Sequence, residues 1–214
     1  MTQRPRENMA SIRAYQPQDR SAVYDICVRT GNAGADARHL TSDPDLRGHV
    51  YVGPYLHLCA GLAFVLEDAG EVVGYVVGAD DTATFVARYR TSWLPRLAAS
   101  HPPLGRSSLT PDECLLDVLH RPERLLSPYL AEYPSHLHIN LLPQAQGQGH
   151  GRALITELCH ALRACRSRGV HLGVAHRNTR ARGFYAHIGF HELYRDAEGV
   201  HLGRRILVQG DRGL

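Results

Sequence analysis

The chain has 214 residues, of which 43% are hydrophobic and 21% are charged, and its formal net charge is +3. These values are ordinary for a globular protein and suit one well-packed α/β domain. No apolar run is long enough to span a membrane, and the 24 basic residues are scattered arginines without interleaved aromatic residues. We therefore expect neither a membrane nor a nucleic acid as a partner.

The N-terminus and the cysteines indicate the cellular compartment, and two histidines bear on metal binding. Residues 1–9 lack the apolar core of a secretory signal, so we expect a flexible N-terminal tail before a single domain over 10–214. The five cysteines show no C-x-x-C pattern and predict reduced core residues of a cytoplasmic protein. They are Cys27, Cys59, Cys114, Cys159 and Cys165. His136 and His138 have no third partner in the sequence, so we expect no metal.

The N-terminal part predicts a strand and a helix. The strand covers 11–15, and Asp19 is placed to cap a helix that ends near Arg29. Gly31–Gly34 ends this helix, and residues 35–60 are expected to be irregular to helical.

A hairpin follows. The predicted strands 63–67 and 71–79 flank Asp68-Ala69-Gly70, which is a hairpin turn signal. Because the second strand is apolar on both faces, it should lie in the centre of a sheet.

Residues 80–134 form a long insertion that we expect to be ordered and helical. Its first helix carries an aromatic stripe of Phe85, Tyr89 and Trp93. A second helix begins at Thr110, with Pro111 as its first residue and Glu113 completing a capping box. It is expected to bury Leu115, Leu116 and Leu119.

A strand, a glycine-rich turn and an amphipathic helix come next. Residues 136–141 alternate polar and apolar side chains, which is the period of a strand with two different faces, and Leu142-Pro143 ends it. The helix buries Leu154, Ile155, Leu158 and Leu162. Its end is predicted at the arginines before Gly169. Glycines at the start of a helix expose backbone N–H groups to an anion, so a pyrophosphate is the expected ligand.

The spacing of the glycines within this turn indicates which class of pyrophosphate-containing ligand it binds. A Walker loop requires a lysine, and the chain contains none. The Rossmann pattern fails because Arg152 and Leu154 stand where its last glycine is required. Gln146, Gly149 and Gly151 instead resemble Q-x-x-G-x-G, the acyl-CoA loop of the GNAT superfamily of N-acetyltransferases. A plain glycine-rich turn is the alternative for so short a motif.

A second stretch of the sequence distinguishes an acyl-CoA loop from a plain glycine-rich turn. Residues 178–190 resemble N-x-x-A-x-x-F-Y-x-x-x-G-F, the other signature of the superfamily, and they follow the first motif after one helix and the strand 170–175. Asn178 is placed as an N-cap, and Gly189 as the residue after the helix. With both motifs in order, the chain is identified as a member of the superfamily. A narrower resemblance, from Tyr133–Ile139 and the upstream Tyr/Trp/Pro-rich segment, is to bacterial acetyltransferases related to the C-terminal acetyltransferase-like domain of O-GlcNAcase.

The resemblance implies an α/β (α+β) GNAT fold, with a mixed, mostly antiparallel central sheet flanked by helices. The helical insertion then lies between the third and fourth strands. A closing antiparallel pair is expected at 193–194 and 200–207, and the family commonly uses the 35–60 region as a wall of the acceptor site. A packed surface loop is the alternative for that region.

The resemblance also implies a site between strands 136–142 and 170–175, with acetyl-CoA as cosubstrate. The implied cofactor-binding residues are Asn140, Leu141, Leu142, Gln146, Gly147, Gln148, Gly149, His150, Gly151, Arg152, Asn178 and Tyr185. Tyr185 matches the family's general acid. Some relatives carry a glutamate base where this chain has Gly173, so His138, His136, His176 and a water relay stay open as bases. His138 is our candidate among them.

The expected function is acetyl-CoA-dependent N-acetylation by direct attack of an amine in a ternary complex. The acceptor is a small molecule or a protein or peptide, and the protein is expected to be a monomer or a homodimer. A CoA-binding regulatory module and an interaction domain are the alternatives. In the transferase the insertion 80–134 is expected to provide acceptor selectivity or a dimer contact, and in the interaction domain it would be the main surface.

Overall fold

A computed structural model describes residues 10–105 and 110–206, and these contain one seven-stranded sheet. The strands are β1 Ser11–Ala14, β2 Ala63–Asp68, β3 Glu71–Ala79, β4 Ser135–Leu141, β5 Gly169–Ala175, β6 His191–Arg195 and β7 Gly199–Arg205. Their order is β1-β2-β3-β4-β5-β7-β6, and every neighbouring pair is antiparallel except β4 and β5. The predicted mixed, mostly antiparallel sheet is confirmed, while the expected tail 1–9 lies outside the described residues.

Helices cover both faces of this sheet. They are α1 Arg20–Arg29, α2 Leu46–Tyr51, α3 Gly53–Leu58, α4 Thr82–Arg88, α5 Pro111–His120, α6 His150–Ala164 and α7 Thr179–His187. On β3, Tyr75 neighbours Cys27 of α1, whereas a Cβ added to Gly78 would lie 3.0 Å from Leu158 of α6. Since residues an odd number apart on a strand face opposite ways, α1 and α6 pack on opposite faces. None of the described helices is long and apolar enough to cross a membrane.

The described part of the insertion contains α4, α5 and three short helical turns, Tyr89–Trp93, Leu94–Arg96 and Pro122–Leu125, joined by turns and coil. The aromatic stripe of Phe85, Tyr89 and Trp93 is buried. It packs within the chain, since Trp93 Nε1 donates to the carbonyl of His49 in α2 at 3.1 Å. The capping box of α5 is present: Thr110 Oγ1 accepts from the Glu113 amide at 3.2 Å, and a Glu113 carboxylate oxygen accepts from the Thr110 amide at 3.0 Å. Of its three leucines, Leu115 and Leu119 are buried and Leu116 is only partly buried.

Several expectations at the ends of elements were wrong. Asp19 precedes α1 but does not cap it, because its carboxylate accepts from Arg13 and from the Gln16 amide at 2.8 Å. Helix α6 ends at Ala164, and Arg166, with φ of 61°, adopts the left-handed conformation that Gly169 was expected to supply.

Two cysteines, Cys114 and Cys165, are exposed rather than in the core.

A buried polar chain connects β4 to α3 and α4. His136 lies 2.8 Å from the Tyr55 hydroxyl through Nε2 and 2.8 Å from the Thr82 hydroxyl through Nδ1. The Thr82 hydroxyl donates its own proton to the Pro134 carbonyl at 2.6 Å, so it accepts from His136 Nδ1–H. The Tyr55 hydroxyl must then donate to Nε2. Both ring nitrogens of His136 are used, which holds this histidine in its neutral form.

His171 of β5 is a second buried histidine. Its Nδ1 lies 2.8 Å from the Tyr133 carbonyl and therefore carries the proton. Burial lowers the pKa of His171 to about 4, and burial lowers the pKa of His136 well below its usual range. In each case the cause is that an imidazolium loses its hydration inside the protein.

These two histidines predict a loss of stability in mild acid. A histidine with a lowered folded pKa binds fewer protons in the folded state than in the unfolded state. Its contribution is complete above about pH 6.5, the unfolded value, and falls as the pH drops towards the folded pKa. We expect the free energy of unfolding to decrease by up to ~1.4 kcal/mol per pH unit for each group between about pH 6.5 and 4.5.

Urea unfolding at several pH values measures this slope. His171→Asn should flatten it, whereas His160→Asn, on the exposed side of α6, should leave it unchanged. A wild-type free energy of unfolding that stays constant from pH 7 to pH 5 would show that these histidines are not held neutral.

The packing of the insertion against α3 gives a separate prediction. A Cβ added to Gly53 would collide with the Tyr24 hydroxyl and lie 2.6 Å from Trp93 Cζ2. We expect Gly53→Ala to lower the free energy of unfolding by about 1–3 kcal/mol because of overpacking. Gly61→Ala is the control, since no atom lies within 4 Å of the added Cβ. Equal urea midpoints for the two variants would contradict the packing described here.

Candidate active site

The parallel strands β4 and β5 pair over two residues and then separate. The paired positions are Ser135 with Val170 and His136 with His171. Beyond them β4 continues to Leu141 and β5 continues to Ala175, but the two strands no longer pair with each other. The separation opens a wedge in the middle of the sheet, where strand backbone groups remain available to a ligand. It lies where the sequence motifs place the site.

The register on the other side of β4 shows which of its residues face this wedge. The Leu142 amide donates to the Val73 carbonyl of β3 at 2.9 Å. Since backbone groups of successive strand residues point to opposite edges, Asn140 faces β3 as well, and Ile139 and Leu141 face the wedge. Leu142 is also used through its carbonyl, which accepts from the Ala145 amide at 2.9 Å.

This register corrects the expected backbone contacts to a cofactor. The Leu141 amide faces the wedge while its carbonyl accepts from Gln146, and the backbone groups of Asn140 and Leu142 are committed elsewhere. The Asn140 side chain is engaged too, since it accepts from the Tyr75 hydroxyl at 2.9 Å and donates to the Thr30 hydroxyl. Sequence reasoning missed Ile139, because the alternation of side chains does not reveal which strand edge is paired.

The turn after β4 is a row of backbone donors. Gly147 and Gly149 have φ of 78° and 84°, and no atom lies within 4 Å of a Cβ added to either. Over residues 147–149 no amide donates to an acceptor in the described part of the chain. The amides of residues 150–152 form the first turn of α6, where no helical carbonyl is available. Six consecutive N–H groups can therefore bind an anion such as a pyrophosphate.

Two further motif residues hold this turn in place. Gln146 donates from its side-chain amide to the Leu141 carbonyl at 2.8 Å, which ties the turn to the end of β4. A Cβ added to Gly151 would lie 3.1 Å from Phe184 Cζ, so this glycine lets α6 approach α7 closely. Gln148 makes a side-chain bond to the Gln144 carbonyl at 2.7 Å. The motif glycines thus have two different roles, exposing amides and allowing helix packing.

Helix α7 begins and ends as the second motif predicts. Asn178 caps it by accepting from the Ala181 amide at 3.1 Å, and Gly189 follows it with φ of 89°. The observed role of Asn178 is helix capping rather than a direct contact with the wedge.

Tyr185 lies inside α7 with its ring between two phenylalanines. Its ring centroid is 5.2 Å from that of Phe184 and 5.4 Å from that of Phe190. Within residues 10–105 and 110–206 its hydroxyl has no hydrogen-bond partner, and burial raises the pKa of Tyr185. The phenol stays protonated at neutral pH, but its pKa moves away from that of a thiol. Donation of a hydrogen bond to a departing sulfur suits it better than complete proton transfer, a correction to the expected acid strength.

The three candidate histidines differ in their availability. Both nitrogens of His136 are used, as described above. His176 donates from Nε2 to the Asp196 carbonyl at 2.7 Å. His138 is half-buried, and its ring makes edge contacts with Tyr51 and Tyr55 at centroid distances of 5.8 and 5.3 Å. Burial, with the nearby charge of Arg124 as a second cause, lowers the pKa of His138 to about 4. His138 is therefore neutral at pH 7 but a weak base.

A narrow pocket leads to His138 from the outside of the domain. Its walls come from α2 and α3, from α4 and from the segment Pro122–Leu125, and its main lining residues are Tyr51, Tyr55, Phe85, Tyr89, Arg124 and His138. Both the region 35–60 and the insertion thus contribute to it. Arg124 has no ion pair among the described residues. The described residues bring no three metal-ligating side chains together.

Comparisons with known proteins agree with this geometry. The sequence model of the acetyltransferase (GNAT) domain matches residues 125–192. The chain is 29% identical over 191 residues to the protein O-GlcNAcase of Rattus norvegicus and to that of Mus musculus. The matched region includes 88% of this chain and 21% of each relative, so the chain spans about a fifth of these proteins.

Two solved structures extend the comparison. The crystal structure of SsHAT is 47% identical, with a TM-score of 0.90 over 92% of this chain and 98% of that one. The phosphinothricin acetyltransferase of Sinorhizobium meliloti, solved with acetyl-CoA, shares the fold, with 16% identity and a TM-score of 0.57 over 96% of this chain and 92% of that one. The predicted fold and the predicted relation to O-GlcNAcase are confirmed. The chain belongs to the GNAT superfamily of acetyl-CoA-dependent acetyltransferases.

Proposed function

We propose that the protein transfers the acetyl group of acetyl-CoA to an amine by direct attack in a ternary complex. The observation that carries this proposal is the wedge between β4 and β5, which leads directly into the six free amides of Gly147–Arg152. A wedge with strand edges suits an extended amide-containing chain, and the amide row suits a pyrophosphate. Pantetheine and pyrophosphate are joined in this order in CoA, so the two features fit one molecule.

The wedge residues have separate roles in this proposal. Ile139 and Leu141 face the wedge and provide backbone groups for the pantetheine. One of their amides is placed to polarise a thioester carbonyl. Arg152 adds a positive side chain at the start of α6, where the helix dipole also favours negative charge. Acetyl-CoA itself supplies the activated thioester.

The acceptor amine enters through the pocket beside His138 in this proposal. Its aromatic walls, Tyr51, Tyr55, Phe85 and Tyr89, suit an apolar or aromatic body, and Arg124 adds a positive charge at its edge. The insertion then acts as a wall of the acceptor site. Its aromatic stripe packs inside the chain and supports that wall from behind.

One observation favours a second candidate function, a CoA-binding module without catalysis. His138 is a weak base, and position 173 carries no side chain. Turnover with a panel of primary amines distinguishes the two candidates, because both bind acetyl-CoA and only the transferase consumes it. Failure to bind acetyl-CoA would exclude both and favour an interaction domain.

The amide row predicts that Gly149→Val abolishes acetyl-CoA binding. Valine disfavours the left-handed backbone of this position and places its branched side chain over the amides. We expect Kd, measured by calorimetry, to rise at least about 100-fold, which corresponds to ~2.8 kcal/mol. Gly34→Val is the control, since Gly34 has φ of 95° and open space but lies before α2, away from the turn. A folded Gly149→Val protein with wild-type affinity would contradict this assignment.

A different variant tests the proposed role of Tyr185. Tyr185→Phe keeps the ring between Phe184 and Phe190 but removes the hydrogen-bond donor. We expect Kd for acetyl-CoA to change little, and turnover to fall by roughly 100-fold, the scale of one general-acid contribution. Acyl donors with more acidic leaving thiols should show a smaller loss, because their thiolates need less help. Wild-type turnover by Tyr185→Phe, where chemistry limits the rate, would remove Tyr185 from the mechanism.

A further inference from the structure

Three side chains from two separate parts of the chain form a hydrogen-bonded row near the wedge. The Tyr129 hydroxyl lies 2.7 Å from Nδ1 of His201, and Nε2 of His201 lies 2.8 Å from a carboxylate oxygen of Asp196. Asp196 is itself oriented, because its other carboxylate oxygen accepts from the amides of Glu198 and Gly199 at 2.8 and 2.9 Å. Tyr129 comes from the end of the insertion, and the other two come from β7 and the turn before it.

The direction of these hydrogen bonds follows from their chemistry. An ionised carboxylate only accepts, so Nε2 of His201 carries a proton. In the neutral imidazole, Nδ1 is then an acceptor, and the Tyr129 hydroxyl must donate to it. The Tyr129 proton is thus directed at a base, while its oxygen lone pairs remain available to a proton from outside. A base oriented by a carboxylate is the arrangement that activates hydroxyl groups in many enzymes.

The position of this row is next to the wedge. His171 is the last β5 residue paired with β4, and the Tyr129 ring packs edge-on against it at a centroid distance of 5.0 Å. Gly173 is two residues further on the same face of β5, directly opposite His201 in the β5–β7 register. No atom lies within 4 Å of a Cβ added to Gly173. Tyr129 lies on the face of the sheet that carries His136 and His138, so an acceptor that enters through the pocket at His138 reaches the wedge on the same face.

An acidic side chain and several aromatic rings surround His201. Its ring is faced by Tyr129, His171, Tyr194 and Asp196, and His176 binds the Asp196 carbonyl. Asp196 is negative at neutral pH, because the amide of Gly199 first and then His201 lower the pKa of its carboxyl. Burial lowers the pKa of His171 to about 4, so this neighbour is neutral at pH 7. Burial raises the pKa of Tyr129, so the phenol carries its proton at rest.

We propose that Tyr129, His201 and Asp196 form a proton relay that deprotonates the acceptor amine, with Tyr129 as the group that touches the acceptor. This proposal rests on the proposed acetyl transfer. His201 and Asp196 act through Tyr129 and are positioning residues.

The proton balance of the step is complete. One ammonium proton moves to the Tyr129 oxygen as the tyrosine proton moves to Nδ1 of His201, and the imidazolium is held by Asp196. The freed nitrogen lone pair forms the N–C bond to the acetyl carbon, and the C–S bond breaks with its electron pair on sulfur. The amide nitrogen loses a second proton. Over the whole reaction one proton leaves His201 for water, and one ends on the CoA sulfur.

The test compares acceptors that differ in their need for a base. Spermidine and tyramine are ammonium ions at pH 7, whereas hydroxylamine is largely neutral. We expect Tyr129→Phe and His201→Gln each to lower kcat/KM for the ammonium acceptors about 100-fold at pH 7. Their activity with hydroxylamine should change little. The loss should shrink as the pH approaches the pKa of the acceptor, since the amine then loses its proton without help.

Tyr133→Phe is the matched control. It removes a tyrosine hydroxyl from the same segment that also contacts a histidine, His191, at 3.0 Å, but on β6 rather than at the wedge. Calorimetry with acetyl-CoA checks that each variant keeps its fold and its binding site. If Tyr129→Phe unfolds, His201→Gln and Asp196→Asn carry the same comparison.

The outcomes separate the two proposals. Suppose that the wild-type protein transfers acetyl groups and that Tyr129→Phe and His201→Gln have the same kcat/KM as Tyr133→Phe. This result would overturn the relay but not the proposed acetyl transfer. An equal loss on hydroxylamine and on the ammonium acceptors would do the same, because it would show a structural role. Wild-type protein that transfers to none of the three amines would overturn the proposed function and the relay together.

Discussion

The constraint on which the site depends is the short pairing of β4 with β5. Two pairs of residues, ending at His136 and His171, hold the strands together, and beyond them the sheet divides. Both strands remain fixed on their other edges, β4 by β3 and β5 by β7, so the division costs the sheet little of its rigidity. The hydrogen-bonded row from Tyr55 through His136 to Thr82 fixes the paired end of β4 against α3 and α4.

The other features of the site follow from this division. Gln146 fastens the glycine turn to the end of β4, so the free amides lie beside the strand that borders the wedge. Gly151 brings α6 against α7, the helix that carries Tyr185. On the opposite face, the insertion and the helices of residues 46–58 wall the pocket at His138. A cofactor and an acceptor would thus meet at a gap in the backbone pairing, with few side chains needed for the chemistry.

Much of this could be predicted from local sequence signals. The glycine spacing, the Asn178 cap and the capping box at Thr110 each depend on a few neighbouring residues, and the structure confirms their local geometry. What the sequence did not reveal depends on long-range pairing. The exposed edge of β4 at Ile139 requires the β3 register. The row of Tyr129, His201 and Asp196 requires the end of the insertion to meet the β6–β7 hairpin, and the commitment of His136 to Tyr55 requires the position of α3.

In the proposed complex, the wedge and the turn bind acetyl-CoA through backbone amides of defined direction. Amide NMR spectra of the 15N-labelled protein, recorded during titration with acetyl-CoA, report on each of these amides separately. We expect saturable shifts and slower hydrogen exchange at Ile139, Leu141 and Gly147–Arg152. Exchange at the amides of Asn140 and Leu142, already bonded towards β3, should be slow before ligand is added and change little. Saturable shifts that cluster elsewhere, or a spectrum that acetyl-CoA does not alter, would contradict it.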